Sequence, residues 1–124
     1  MKYDNLYCKL FVDSPMLQGQ FILMIADLLK VKANGSYVEN KYLFITINRN
    51  EDKNMVLKNN PKDGFLFYSY YLDIEPSEGI DINTYLTHLK SLINSLRSKG
   101  FKTIAACDFE DELNDSKPYT EFMK

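Results

Sequence analysis

The clearest pattern in the chain is residues 64–74, where large apolar side chains occupy both sets of alternate positions. Successive residues of a strand point to opposite faces, so this run predicts a strand with apolar groups on both faces. One face has to pack on helices and the other needs a cover. Contiguous exposed aromatic surface is uncommon on soluble monomers, so the second face predicts an interaction site.

Three further segments are typical of strands. Residues 6–12 and 42–48 alternate with a period of two, and the start of the second segment is left open between Tyr37 and Tyr42. Residues 103–109 are short, apolar and partly β-branched, which predicts a fourth strand. The polar segment 49–64 predicts a long loop, in which Met55, Val56 and Leu57 are the apolar residues.

Two segments predict helices. Ser14 is a good N-cap with Pro15 at the first helical position, and Asn34-Gly35 is the predicted exit. Asp81 can cap the second helix and Gly100 can close it. The apolar stripes that define their buried faces are Leu17, Phe21, Met24, Ile25, Leu28 and Leu29 in the first helix, and Tyr85, Leu89, Leu92, Ile93 and Leu96 in the second.

The order strand, helix, strand, strand, helix, strand predicts an α+β, ferredoxin-like fold: a four-stranded antiparallel sheet with two helices on one face. Strands one and three are central and parallel in that topology, and strand four borders strand one. We expect residues 1–124 to form a single domain, since 124 residues with 45% apolar content suit one globular core.

This topology divides the strand residues between two faces. The predicted helix-facing set is Leu6, Leu10, Leu43, Ile45, Ile47, Leu66, Leu72 and Ile74. The predicted open face carries Tyr7, Phe11, Tyr42, Phe44, Phe65, Phe67 and Tyr71. The sequence leaves three alternatives for what covers this open face: a second copy of the chain, the tail from residue 115 to 124, or a partner.

A cluster of acidic residues follows the fourth strand: Asp108, Glu110, Asp111 and Glu112. The predicted topology brings this acidic end to the same sheet edge as the loop from residue 49 to 62. One interpretation is a solvated terminus whose charges pair loosely with lysines. The other is a docking patch for a basic partner, because complementary charge speeds association and sets register.

Charge and composition exclude several classes of function. The net charge of −2 supplies no overall attraction for nucleic acid. The longest apolar run, residues 21–26, is far shorter than the roughly 20 residues that span a bilayer, and no export signal is visible, so a cytoplasmic location is expected. Cys8 and Cys107 are predicted to be buried thiols rather than a disulfide.

Residues 64–70 partly resemble the third-strand signature of RNA-recognition motifs, in which a glycine precedes alternating aromatic residues. Asp63 stands where that signature has a basic residue, and Leu66 stands where it has Gly or Ala. With an acidic chain, RNA binding is the weaker interpretation.

Catalytic patterns are sparse. Asp73 and Glu75 alternate onto one strand face, which would suit paired-carboxylate chemistry if a cleft separated their pKa values. His88 is the only histidine and falls on the second helix without triad partners. The sequence has no Gly-rich phosphate loop, Cys-x-x-Cys or serine elbow. We therefore expect no catalytic residues, no metal and no cofactor.

Residues 70–76 and the run Ala-Ala-Cys-Asp-Phe-Glu-Asp-Glu-Leu at 105–113 resemble a family of small uncharacterised bacterial proteins. Such proteins are similar in size and style to the immunity partners of bacterial toxins, which is an analogy. The resemblance implies that this chain is a non-enzymatic binding protein with a protein partner. The alternatives are a homodimeric domain that binds a small ligand or regulates, a small enzyme, and an RNA-binding domain.

The predicted partner-binding residues combine the aromatic face with the acidic end. They are Tyr42, Phe44, Phe65, Phe67, Tyr71, Asp108, Glu110, Asp111 and Glu112.

Overall fold

The computed structural model describes residues 5–114. Its strands are β1 (Cys8–Asp13), β2 (Tyr37–Glu39), β3 (Leu43–Arg49), β4 (Tyr70–Pro76) and β5 (Lys102–Ala106). Its helices are α1 (Gln18–Leu29), α2 (Ile82–Ser98) and the short α3 (Glu110–Asn114). The class is therefore α+β, as predicted.

The five strands form one antiparallel sheet in the order β2-β3-β4-β1-β5. In the register of the central strand, Leu10 lies opposite Leu72 of β4 on one side and Ala105 of β5 on the other. The predicted four-stranded ferredoxin-like sheet differs from this in two respects. The sheet has a fifth strand, and β1 runs antiparallel to β4, where the prediction made these two central strands parallel.

The extra strand accounts for the changed direction. The side-chain oxygen of Asn40 accepts hydrogen bonds from the backbone N–H groups of Tyr42 and Leu43, both at 2.8 Å, and so turns the chain between β2 and β3. This tight hairpin reverses the chain once more than the predicted topology does. As a result β3 runs in the same direction as β1, and β4, paired with both, runs against them.

One face of the sheet carries the main core. Leu10, Leu43, Ile45, Ile47, Leu72 and Ile74 pack there against the helices, as predicted. Phe21 of α1 stacks on Tyr70, with ring centroids 4.2 Å apart. Tyr85 of α2 is fully buried, and its hydroxyl donates to the carbonyl oxygens of Leu6 at 2.7 Å and Ile74 at 3.3 Å.

The predicted helix boundaries are right for α2 and wrong for α1. Asp81 caps α2 by accepting from the N–H of Thr84 at 3.1 Å, and Gly100 follows the helix at a φ of +89°. Ser14 does not cap α1, which begins at Gln18; its hydroxyl accepts from the N–H of Met16 at 3.1 Å in a separate turn. The helix also ends earlier than predicted, at Leu29.

The last strand is shorter than predicted, because the chain leaves the sheet after Ala106. Asn114 of α3 then returns to the outer edge of β5. Its amide accepts from the N–H of Ala105 at 3.0 Å and donates to the carbonyl of Ala105 at 2.9 Å. Arg97 donates to the carbonyl of Thr103 on the same edge at 3.3 Å. These side chains occupy backbone groups that an edge strand otherwise offers to another strand.

We expect Asn114→Ala to lower the free energy of unfolding by about 1–3 kcal/mol, because it leaves both polar groups of Ala105 without their partner. Asn94→Ala on the exposed side of α2 is the matched control and should change stability by less than about 0.5 kcal/mol. Urea unfolding followed by circular dichroism measures both. Equal stability of the two variants would contradict the edge role of Asn114.

Candidate binding surface

The second face of the sheet is partly covered by the connection from β3 to β4, residues 50–69, which we call the asparagine loop. Within it, Gly64–Phe67 forms a 3₁₀ turn and β4 starts only at Tyr70. The predicted strand start at residue 64 is therefore wrong, as is the helix-facing position of Leu66, which is exposed. The RNA-recognition signature loses its structural basis, since its aromatic residues do not alternate along a strand.

The loop brings its own aromatic residues onto the sheet. The ring of Phe65 meets Phe11 of β1 edge-on, with centroids 5.3 Å apart. Tyr68 is buried in the same small cluster, together with Phe11 and Ile104 of β5. A cover within the chain is thus present over β1 and β5. The sequence did not predict this cover by the loop, and the predicted cover by the tail, residues 115–124, lies outside the described residues.

Asn50 fixes the two ends of the asparagine loop. It is buried, and its N–H donates to the carbonyl of Ser69 at 2.9 Å. Its side-chain amide donates to the carbonyls of Leu66 at 3.0 Å and Tyr68 at 2.7 Å, while its oxygen accepts from the N–H of Asp52 at 3.0 Å. A buried amide with this many partners holds the loop in one conformation.

Asn54 builds the tip of the loop. Its side-chain oxygen accepts from the N–H groups of Val56 and Leu57, both at 2.9 Å, in an Asx turn. Its own N–H donates to the carbonyl of Phe67 at 3.1 Å. The tip is thereby hydrogen-bonded to the returning half of the loop.

The far side of the loop is tied to β1. Lys58 forms an ion pair with Asp13, with Nζ and Oδ2 3.0 Å apart, and both side chains are largely buried. The N–H of Gly64 donates to the carbonyl of Asn60 at 2.9 Å. A Cβ atom at Gly64 would lie 2.2 Å from the carbonyl oxygen of Lys58, so this close approach requires glycine.

This ordered loop presents apolar side chains to solvent. Met55 is 76% exposed, Val56 78%, Leu57 46% and Leu66 44%; we call these four residues the apolar patch. Exposed apolar side chains that adjoin one another mark an interaction site. Sequence reasoning did not place them in a site, although three consecutive apolar residues inside an asparagine-rich polar segment were the available signal.

A groove of about 780 Å³ opens beside the patch, between the loop and the sheet. Lys9, Phe11, Asn48 and Tyr71 line it on the sheet side. Leu66, Phe67, Glu51 and Asp52 line it on the loop side. The Lys9 ammonium lies 4.4 Å from the centroid of the Tyr71 ring and 5.2 Å from that of Phe11, a cation–π arrangement that covers part of the aromatic surface.

A polar network lies next to Lys9 on the same face. The Asp73 carboxylate accepts from the Tyr7 hydroxyl through one oxygen and from the Asn48 amide through the other, the latter at 2.9 Å. Burial raises the pKa of Tyr7, and the hydrogen bond and charge of Asp73 raise it further. Asp73 is thus engaged in positioning Tyr7 and Asn48, while Glu75 is exposed at the next position on that face.

The predicted site residues on the sheet separate into three places. Phe67 and Tyr71 line the groove, and Phe65 lies on Phe11 beside it. Phe44 is distant along the sheet, where it contacts Tyr37 of β2 at 5.6 Å between ring centroids. The open-face position of Tyr42 is wrong. Its ring stacks on His88 of α2 at 3.5 Å, on the helix side, because it precedes β3 in the turn built by Asn40.

The acidic end and the asparagine loop lie at opposite ends of the strands, that is, at the two edges of the sheet where strands begin and end. Lys9 is opposite Ala106, whereas Asp13, which binds the loop, is opposite Lys102. The predicted shared edge is therefore wrong, and the reversed direction of β3 is the reason. Asp108 precedes α3, and Glu110, Asp111 and Glu112 form its first turn, where carboxylates interact favourably with the helix N-terminus.

Comparisons of the chain with protein-family models, curated proteins and solved structures give no match. The resemblance to a bacterial family therefore stays a prediction. Within residues 5–114, no group of three or more His, Cys, Asp or Glu side chains is placed to hold a metal ion. None of the described helices has the length and apolar character needed to cross a membrane.

We expect Gly64→Ala to lower the free energy of unfolding by about 1–3 kcal/mol, because its Cβ atom would force Lys58 and the turn apart. Gly19→Ala on α1 is the matched control. A Cβ there meets nothing within 4 Å, and helix propensity should raise stability by about 0.5 kcal/mol. Chemical denaturation of both variants measures the difference, and a stabilised Gly64→Ala protein would refute the close approach.

We expect Tyr7→Phe to lower stability by about 1 kcal/mol near neutral pH, through loss of the hydrogen bond to Asp73. The wild-type advantage should shrink above pH 10. There the unfolded hydroxyl releases its proton while the folded one, with its raised pKa, keeps it, so folding loses free energy as pH rises. Unfolding midpoints between pH 8 and about 11.5 test this. A constant difference across that range would mean that Tyr7 is not linked to folding.

Proposed function

We propose that this protein is a non-enzymatic binding protein that docks a protein partner on the apolar patch and the adjoining groove. The observation that carries the proposal is an ordered loop whose exposed tip consists of Met55, Val56 and Leu57. Covering the second face of the sheet accounts for the buried asparagine, but it does not require exposed apolar side chains at the tip.

Preorganisation favours this interpretation. Ordering a loop on binding costs free energy, and a surface already fixed before binding avoids that cost. Asn50 and Asn54 supply the fixing hydrogen bonds on the two sides of the tip. The apolar side chains are then held in position to enter a complementary surface, as the central residues of protein interfaces do.

The groove extends the same surface with a different chemistry. Phe67 and Tyr71 provide aromatic area, and Lys9, Glu51 and Asp52 surround it with charges of both signs. An apolar centre bordered by polar groups is the usual anatomy of a protein interface. The patch projects outward from the loop, so a protein surface fits it better than a small molecule enclosed in a pocket.

The acidic end provides a separate contact for the partner. Asp108, Glu110 and Asp111 are exposed at the opposite edge of the sheet, so a partner on the groove reaches them only by extending along the strands. Charges at such a rim affect the association rate more than the lifetime of a complex. The immunity-protein style and the cytoplasmic location stay part of this proposal on sequence grounds.

The first test is the double variant Met55→Ser/Val56→Ser, with Leu23→Ser on α1 as the matched control. Leu23 is 66% exposed, so all three substitutions replace a solvent-facing apolar side chain and should leave the fold intact. Immobilised wild-type protein is used to capture partners from cells of its source, and the captured protein is then purified and titrated against each variant.

We expect the double variant to weaken binding of the purified partner at least tenfold and Leu23→Ser to leave it unchanged. Equal binding by the double variant and the wild type would refute the patch. Light scattering over a wide concentration range distinguishes the alternative occupant. A wild-type dimer that dissociates in the double variant would assign the patch to a second copy of the chain and overturn the proposal of a different partner.

A further inference from the structure

The two cysteines face each other across the β1–β5 ladder. The last paired positions are Lys9 and Ala106, and continuing the antiparallel register by one residue places Cys8 opposite Cys107. Both side chains belong to the helix-facing side, where Cys8 is part of the main core and Cys107 packs against it. The two thiols also lie close enough that each is the main influence on the pKa of the other.

The type of ladder position favours a covalent bond between them. The polar groups of Ala105 point away from β1 toward Asn114, so the groups of Ala106 point toward β1. Lys9 and Ala106 are then a hydrogen-bonded pair, the last of the ladder, and Cys8 and Cys107 directly follow it at what would be a non-hydrogen-bonded pair if the ladder continued. Cα atoms of such pairs are about 4.5 Å apart, within the range of about 4.4–6.8 Å that disulfides need.

The environment gives the two sulfur atoms different roles. Cys8 has no exposed surface, whereas Cys107 is half-buried just beyond the strand and can be reached from solvent. The interaction with Cys8 lowers the pKa of Cys107, and a backbone hydrogen bond involving Phe109 also lowers it, whereas burial acts in the opposite direction. The interaction with Cys107 raises the pKa of Cys8, and burial raises it further. Cys107 is the thiol that reacts first, because the thiolate is the nucleophile.

We propose that Cys8 and Cys107 form an oxidation site that closes to an intrachain disulfide when the protein meets a peroxide. In the reduced protein the two cysteines are free thiols, as expected from the sequence, with Cys8 buried and Cys107 half-buried. The proposal rests on the ladder register and on the position of both side chains in the main core, and it is independent of the proposed binding function.

The reaction balances in two steps. The Cys107 thiolate attacks one peroxide oxygen, the O–O bond breaks, and the other oxygen leaves as hydroxide that takes up a proton, which leaves a sulfenic acid on Cys107. The Cys8 sulfur then attacks the Cys107 sulfur; the S–O bond breaks, and the hydroxyl leaves with the Cys8 proton as water. Two thiols and one peroxide give one disulfide and two waters.

Closure would join β1 to the residue that follows β5 and so link two points separated by most of the chain. Linking distant residues restricts the unfolded chain and raises the stability of the folded state. Because Cys8 and Cys107 directly follow the paired residues Lys9 and Ala106, closure needs little movement of the strands. Oxidation is therefore expected to stabilise the protein.

The test starts with the full-length protein, reduced and freed of reductant, then exposed to a series of hydrogen peroxide concentrations. Denaturation with iodoacetamide and intact-mass measurement count the remaining thiols. We expect the monomer to lose two hydrogens and both alkylation sites together, and its thermal unfolding midpoint to rise by about 5 °C or more. Reductant should reverse both changes.

Cys107→Ser is the matched control and should show neither the mass loss nor the shift in the midpoint. Two alkylatable thiols in the wild type, at peroxide concentrations that fully oxidise free glutathione, would overturn the proposal. So would a disulfide-linked dimer, or a Cys107 sulfinic acid formed with Cys8 still free. The wild-type mass measurement decides the question even where the variant fails to fold.

Discussion

All the described helices pack on one face of the sheet, and this constraint determines how the rest of the molecule is built. A sheet with apolar and aromatic residues on both faces needs a second cover. The asparagine loop provides this cover. It connects the neighbouring strands β3 and β4, but it crosses β1 and β5 before it returns to the sheet. Phe65 and Tyr68 are the residues that it places on the sheet.

A long excursion of this kind stays ordered only if its backbone groups find partners. Asn50 and Asn54 supply those partners from side chains, and Gly64 allows two parts of the loop to approach closely. Hydrogen bonds thus hold the loop in one conformation, whereas apolar packing stabilises the sheet. The side chains left over at the tip are apolar and exposed, so the binding surface is a consequence of how the second face is covered.

Strand direction decides which surface features can act together. The short hairpin at Asn40 reverses the chain, and the asparagine loop and the acidic end consequently lie at opposite edges of the sheet. A partner of the patch and groove need not contact Asp108 or its neighbours. The same ladder that separates these two features brings Cys8 and Cys107 together, although they are almost the full described chain apart in sequence.

The sequence by itself determined the features that depend on local periodicity and capping. These include α2 with its cap at Asp81 and its end at Gly100, the buried alternation of β3, and the α+β class. Tertiary structure alone decided the number and direction of the strands, the 3₁₀ turn that removes Phe65 from β4, and the exposure of Met55. The physical reason is the separation along the chain between the residues that interact. A cap or an apolar stripe involves residues a few positions apart, whereas pairing of β1 with β4 and the bonds of a buried asparagine join distant segments whose meeting no local pattern encodes.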